Sequence, residues 1–199
     1  MEASDPVVTS ADPYVDEATR RSLTLCRAII SRPTTDIGTR ISCLAKCISL
    51  LDALPKVRAF DAQATREYKG KQKVPSASAA ASAIENKSES DNTCVWPLEL
   101  MQILLDRAVT LKDLAAAYRQ SGDAQSSTYN LDRAVTLLET FVRFSLSDGV
   151  QPQPMEDMRA IATSTLSQVL DSWADVEQSL GRNAKAAKIR TRADKWRFS

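Results

Sequence analysis

Apolar residues recur along this chain every three or four positions, the period of a helix that buries one side. One stretch runs Ile37, Ile41, Leu44, Ile48, Leu51, at spacings of 4, 3, 4 and 3. A later one runs Ala162, Leu166, Val169, Trp173, Val176, Leu180, at spacings of 4, 3, 4, 3 and 4. Proline, glycine and capping residues divide the pattern into seven predicted helices. The first, over about 15–31, carries Ala18, Leu25, Cys26, Ile29 and Ile30 on one side. It ends at Arg32-Pro33, because proline disfavours helix at the residue before it. Thr34, Thr35 and Asp36 offer N-caps for the second. Its face is widened by Cys43, Cys47, Leu50 and Leu54, which predicts packing on two sides. Pro55 closes it or opens a shorter third helix with Val57, Phe60, Ala64 and Tyr68 aligned.

The pattern then stops. Residues 69–95 are rich in Ser, Ala and Lys with little to bury, which predicts a disordered loop, and 1–13 read as a flexible tail. Structure resumes at Trp96-Pro97, with the proline expected at a first helical position. The fourth helix carries Leu100, Leu104, Leu111, Leu114, Ala115 and Tyr118 and runs to about Ser121. Gly122 stops it and Asp123 caps the fifth, which carries Leu131, Val135, Leu138 and Val142 to about Ser147. Asp148-Gly149 and a QPQP stretch make a break before the sixth helix, which starts at Pro154 and ends at Gly181. The seventh carries Ala186, Ile189, Ala193 and Trp196. With only 5 glycines and few β-branched runs, the fold class is all-α. The helices pair as antiparallel hairpins, 14–68 with one hairpin and a short helix and 96–199 with two more, packed as one domain.

The heptapeptide LDRAVTL occurs at 105–111 and again at 131–137. The first copy lies before Gly122 and the second after it, so the two occupy different places in one hairpin. On this reading Ala134 is a close-contact position and Ala108 only resembles one. A looser pattern does repeat when phased on the glycines. Leu111, Leu114, Ala115, Tyr118, Gly122, Ser127 and Ala134 share their spacing with Leu170, Trp173, Ala174, Glu177, Gly181, Ala186 and Ala193. This resembles the tetratricopeptide repeat, a helix-turn-helix unit of about 34 residues. The resemblance rests on three features. Leu114-Ala115 and Trp173-Ala174 pair a large residue with a small one. Glycine stands where the turn needs φ > 0. Small residues occupy the second helices at Ser127, Ala134, Ala186 and Ala193. Two departures stand beside them. Glu177 replaces the aromatic that Tyr118 supplies, and the glycines are 59 positions apart, from 122 to 181. The resemblance implies a short, irregular solenoid of stacked hairpins; the alternative is a plain antiparallel helical bundle.

Charge and composition narrow the chemistry. A net charge of +1 gives no global field that selects nucleic acid or membrane. The chain has no histidine, the commonest general base and metal ligand. It has no glycine-rich phosphate loop. Its four cysteines, Cys26, Cys43, Cys47 and Cys94, form no CxxC pair and read as buried, reduced thiols. No catalytic, metal or cofactor residue is expected, and the chain is read as not an enzyme. No apolar run approaches 18 residues and the amino terminus resembles no targeting peptide, so a cytoplasmic or nuclear protein is expected.

What the resemblance implies is a protein-binding adaptor or assembly factor, holding a partner protein or peptide on a concave surface lined by first helices. The residues expected there are Lys112, Ala116 and Arg119 on the fourth helix and Asp171, Ser172 and Asp175 on the sixth. Family members that hold chaperone C-terminal carboxylates use a Lys and an Asn one turn apart on a first helix. Here Ala116 follows Lys112, so no such tail is expected. Arg182, Lys185, Lys188, Arg192 and Lys195 make one basic face on the seventh helix, suited to an acidic partner, RNA or an anionic membrane. The plainer reading, a solvated outer face of a terminal capping helix, is favoured, because charge elsewhere does not reinforce the patch. Trp173 and Trp196 read as core, and Trp96 as a staple at a helix start. The alternative function is a helical-bundle module of the microtubule-interacting-and-transport kind, or a subunit of a larger complex. Its interface would be the wide face of the second helix, through Ile37, Ile41 and Ile48.

Overall fold

The computed structural model describes residues 15–72, 97–144 and 153–197, the side chains of 66–72 and 144 excepted. They form seven helices and no strand: α1 (Glu17–Ile30), α2 (Ile37–Ala53), α3 (Pro55–Gln72), α4 (Leu98–Gln120), α5 (Ala124–Phe144), α6 (Gln153–Ser179) and α7 (Asn183–Arg197). The expected tail, Trp96, Cys94 and the break near Asp148-Gly149 lie outside the described residues, as does most of the 69–95 loop. Residues 69–72 belong to α3, which is 18 residues long, so the loop begins later than its composition suggests and the third helix is not short.

Three helices start on the same device. The carboxylates of Asp16, Asp36 and Asp123 accept the backbone N–H of Thr19, Thr39 and Ser126 in their respective first turns, at 2.9 to 3.0 Å. An N-cap satisfies donors that have no partner inside the helix. All three carboxyls are held below the usual carboxylate range, Asp16 first by the backbone bond from Thr19. For Asp36 and Asp123 the side chains of Thr39 and Ser126 contribute most. α4 starts differently: Pro97, expected as its first helical residue, is its N-cap, at ψ 141°, so the helix begins one position later, and the cap makes no side-chain bond.

Two helices also end alike. Gly122 and Gly181 have φ of +85° and +74°. The N–H of Asp123 bonds the carbonyl of Tyr118, and that of Gly122 bonds Arg119. After α6, Arg182 bonds Glu177 and Gly181 bonds Gln178. Each end is a Schellman motif, whose left-handed residue is glycine because it lacks a Cβ. Tyr118 and Glu177 therefore occupy equivalent positions in the two turns.

Each packed pair follows the chain. α1 lies on α2, α4 on α5, α5 on α6 and α6 on α7, while α2 bridges to α4. α4 also touches α6, which sets these two helices side by side, and α3 makes only light contact with α2 and α4. One apolar cluster draws on all seven helices. The wide face of α2 is used as expected on two sides, against α1 and α4, with Leu44, Cys47, Ile48 and Leu51 buried.

Three sequence readings change. In α1 the buried residues are Leu23 and Cys26, whereas Leu25 is 62% exposed and Ala18 is exposed. A stripe through Leu23, Cys26 and Ile30, at spacings of 3 and 4, is as helical as the one through Leu25. Leu180 is exposed because α6 ends before it. Ala108 and Ala134 are both 0% exposed, so Ala108 is a close-contact position too. α4 is packed by α2, α5 and α6, which leaves little of its circumference in solvent.

Candidate functional site

The contact of α4 with α6 opens a cleft of about 220 Å³ floored by α5. α4 contributes Lys112, Asp113, Ala116 and Arg119, and α6 contributes Gln168 and Ser172. These α4 residues lie on one side because 112, 116 and 119 are spaced by 4 and 3. Lys112 and Arg119, both expected here, make no ion pair with any described residue. Ser127 reaches the cleft from α5. It is only 1% exposed, yet its hydroxyl has no hydrogen-bond partner among the described residues. Burial pushes the Asp113 carboxyl up, and the cations Lys112 and Arg40 offset part of that effect. The cleft thus holds two cations without an ion pair among the described residues, one carboxylate beside Lys112, and a buried hydroxyl without a hydrogen-bond partner among those residues.

The two acids expected on α6 are elsewhere. Asp175 accepts from Arg190 of α7 at 3.2 Å, and Asp171 pairs with Arg197 of α7. They tie the last two helices together and do not line the α4–α6 cleft.

The basic face of α7 is largely neutralised within the molecule. Lys185 donates to Glu177 at 2.7 Å and Arg182 donates to it at 3.3 Å. Arg192 reaches Glu139 of α5 at 2.6 Å. Lys188 is exposed and makes no ion pair with a described residue. The five cations expected as one surface therefore include three that serve internal carboxylates.

Glu177 explains its own departure from the repeat pattern. It is 0% exposed, and besides the two cations it accepts the indole N–H of Trp173 at 3.0 Å. Lys185 also lies over the Trp173 ring, 5.2 Å from its centroid. Burial alone would raise the Glu177 carboxyl, but bonds from Lys185, Trp173 and Arg182 outweigh it and hold the carboxyl below its ordinary value.

A second charge cluster has no local signature in the sequence. Arg107 of α4, 7% exposed, donates through Nε to Asp52 of α2 at 2.7 Å. Its two terminal nitrogens hold Asp61 of α3 in a fork at 2.9 Å each. Arg133 of α5 takes the other oxygen of Asp52, at 2.9 Å. Burial works against the Arg107 charge, and Asp61 and Asp52 more than restore it. Arg107 and Arg133 are the arginines of the two LDRAVTL copies. The repeated heptapeptide thus puts one guanidinium on each oxygen of the same carboxylate.

Cys26, Cys43 and Cys47 are free thiols. Burial, then the neighbouring Cys26, push the Cys47 thiol up to about 11. The same two causes raise Cys43. Among the described residues no group of His, Cys, Asp and Glu side chains is arranged to hold a metal ion. No described helix is long and apolar enough to cross a membrane. No family model, curated protein or solved structure matches the chain.

Proposed function

We propose that this chain is a protein-interaction module of the tetratricopeptide-like kind, acting as an adaptor or assembly factor that holds a partner segment in the α4–α6 cleft. The observation that carries this reading is the unsatisfied chemistry of the cleft. Lys112 and Arg119 make no ion pair with a described residue while most described arginines elsewhere are paired, and the Ser127 hydroxyl is buried without a partner among the described residues. A buried polar group left unpaired costs free energy that an incoming polar group recovers. The identical Schellman turns at Gly122 and Gly181 support a repeated hairpin as the scaffold. An extended segment with acidic side chains fits best, its carboxylates meeting Lys112 and Arg119 and its backbone N–H groups meeting Asp113. Ala116 supplies no second clamp residue, so recognition runs through side chains and not a free C-terminal carboxylate. The second reading, an interface on the wide face of α2, has less to offer a partner, since Ile48 is buried and Ile37 and Ile41 pack on the core.

The test is a selection of displayed random peptides on the full chain, followed by affinity measurement. Acidic peptides are expected, with Lys112→Ala and Arg119→Ala together weakening them by roughly tenfold or more. Lys188→Ala and amidation of the peptide's C-terminus are expected to change nothing. Binding that survives the double substitution, or that needs a free C-terminal carboxylate, would contradict the proposal.

A further inference from the structure

A larger cleft, of about 710 Å³, lies between α3, α4, α5 and α7, apart from the α4–α6 groove. Its volume falls in the range of roughly 300–1,000 Å³ that small-molecule sites occupy. The floor is apolar, built from Phe60, Leu111 and Leu137, each almost fully buried. The rim is polar, and its charge is uneven along the cleft. At one end Asp52 and Asp61 balance Arg107 and Arg133, ion for ion. At the other, among the described residues, one carboxylate, Glu139, 8% exposed, faces two guanidinium groups. Arg192 lies 2.6 Å from it and Arg143 lies 3.5 Å from it. Among the described residues, that end carries one positive charge more than its partners cancel. Both arginines remain about half exposed, with 44% and 59% of their side chains in solvent. Asp132, the other acid of the rim, is eleven residues before Arg143 on α5, about 16 Å along the helix axis.

We propose that this cleft is a second binding site, for a small amphipathic anion. An apolar chain or ring lies on the Phe60–Leu111–Leu137 floor, and a carboxylate or phosphate sits at Arg143 and Arg192. Guanidinium forks suit both head groups. Glu139 fixes the two forks before the ligand arrives, which lowers the ordering cost of binding. The buried floor supplies the apolar contact that a free inorganic anion would not use.

The test uses the full chain and the fluorescent probe 1-anilinonaphthalene-8-sulfonate, itself an apolar body with one anionic group. One saturable site is expected. Laurate or dodecyl phosphate, below the micelle threshold, should displace the probe, while dodecanol at the same concentration should not. Thr136→Trp, at an exposed rim position, should abolish binding without lowering Tm. Arg143→Gln should weaken laurate by roughly tenfold, and this substitution leaves Glu139 paired with Arg192. Co-sedimentation with phosphatidylserine vesicles separates a free ligand from a lipid head group. None is expected, and vesicle binding that Thr136→Trp removes would overturn the free-ligand assignment. The site itself is overturned if the probe shows no saturable binding, if dodecanol competes as well as laurate, or if Thr136→Trp leaves binding intact.

Discussion

Gly122 and Gly181 show most simply how single residues set this fold. Both sit at positive φ, and a Cβ added to either would meet no atom within 4 Å. The cost of Gly122→Ala or Gly181→Ala is therefore conformational alone, about 1–2 kcal/mol each. Urea unfolding should show that loss, with Asn at either site costing less, and an unchanged midpoint for the alanine variants would exclude the strained turn. Glu177 gives a pH-dependent counterpart. Its folded pKa lies below the ordinary value of 4.5, so it stabilises the fold at neutral pH. That contribution is lost as pH falls from about 4.5 through the depressed value. Glu177→Gln should cost roughly 2 kcal/mol at pH 7. It should also flatten the acid limb of the stability profile. A parallel shift of the whole curve would mean that the carboxylate is not the titrating group.

Helices were legible where one residue decides a boundary. Asp36, Asp123, Gly122 and Gly181 each stop or start an element through a bond made within five residues, so local sequence carries the signal. α1 was misread because its apolar residues offer two stripes, and only contact with α2 selects Leu23 over Leu25. Ala108 was misread for a similar reason: position within the heptapeptide says nothing about the three helices that surround α4. Ala108→Trp and Ala134→Trp should now destabilise comparably, by roughly 1–3 kcal/mol or more through overpacking. A clear difference in Tm between them would restore the sequence reading. Arg107 was invisible because its partners lie 55 and 46 positions away on other helices. It is the main polar tie on α3, which otherwise touches α2 and α4 lightly. Arg107→Met should speed amide exchange in 55–65 more than in α5 or α6. Uniform acceleration across the helices would show that the cluster supports the core and not α3.

Across the whole molecule, charge pairing separates scaffold from surface. The ion pairs of Asp52, Asp61, Glu139, Asp171, Asp175 and Glu177 join helices to one another, and they absorb most of what looked in the sequence like a basic face on α7 and an acidic lining on α6. Sequence could not make that division, because an arginine paired across the fold and one free in a groove have the same local context. Among the charges these pairs leave over are Lys112 and Arg119 in the α4–α6 cleft, where the site residues expected on α4 do come together. The most direct test of its role as the partner groove is site-specific photocrosslinking of a selected acidic peptide. A photoreactive residue would replace Ala116 in the cleft, or Lys188 on the outer face of α7, in the full chain. The account predicts crosslinks from position 116 that disappear with Lys112→Ala and Arg119→Ala, and none from 188. Crosslinks from 188 with none from 116 would contradict it.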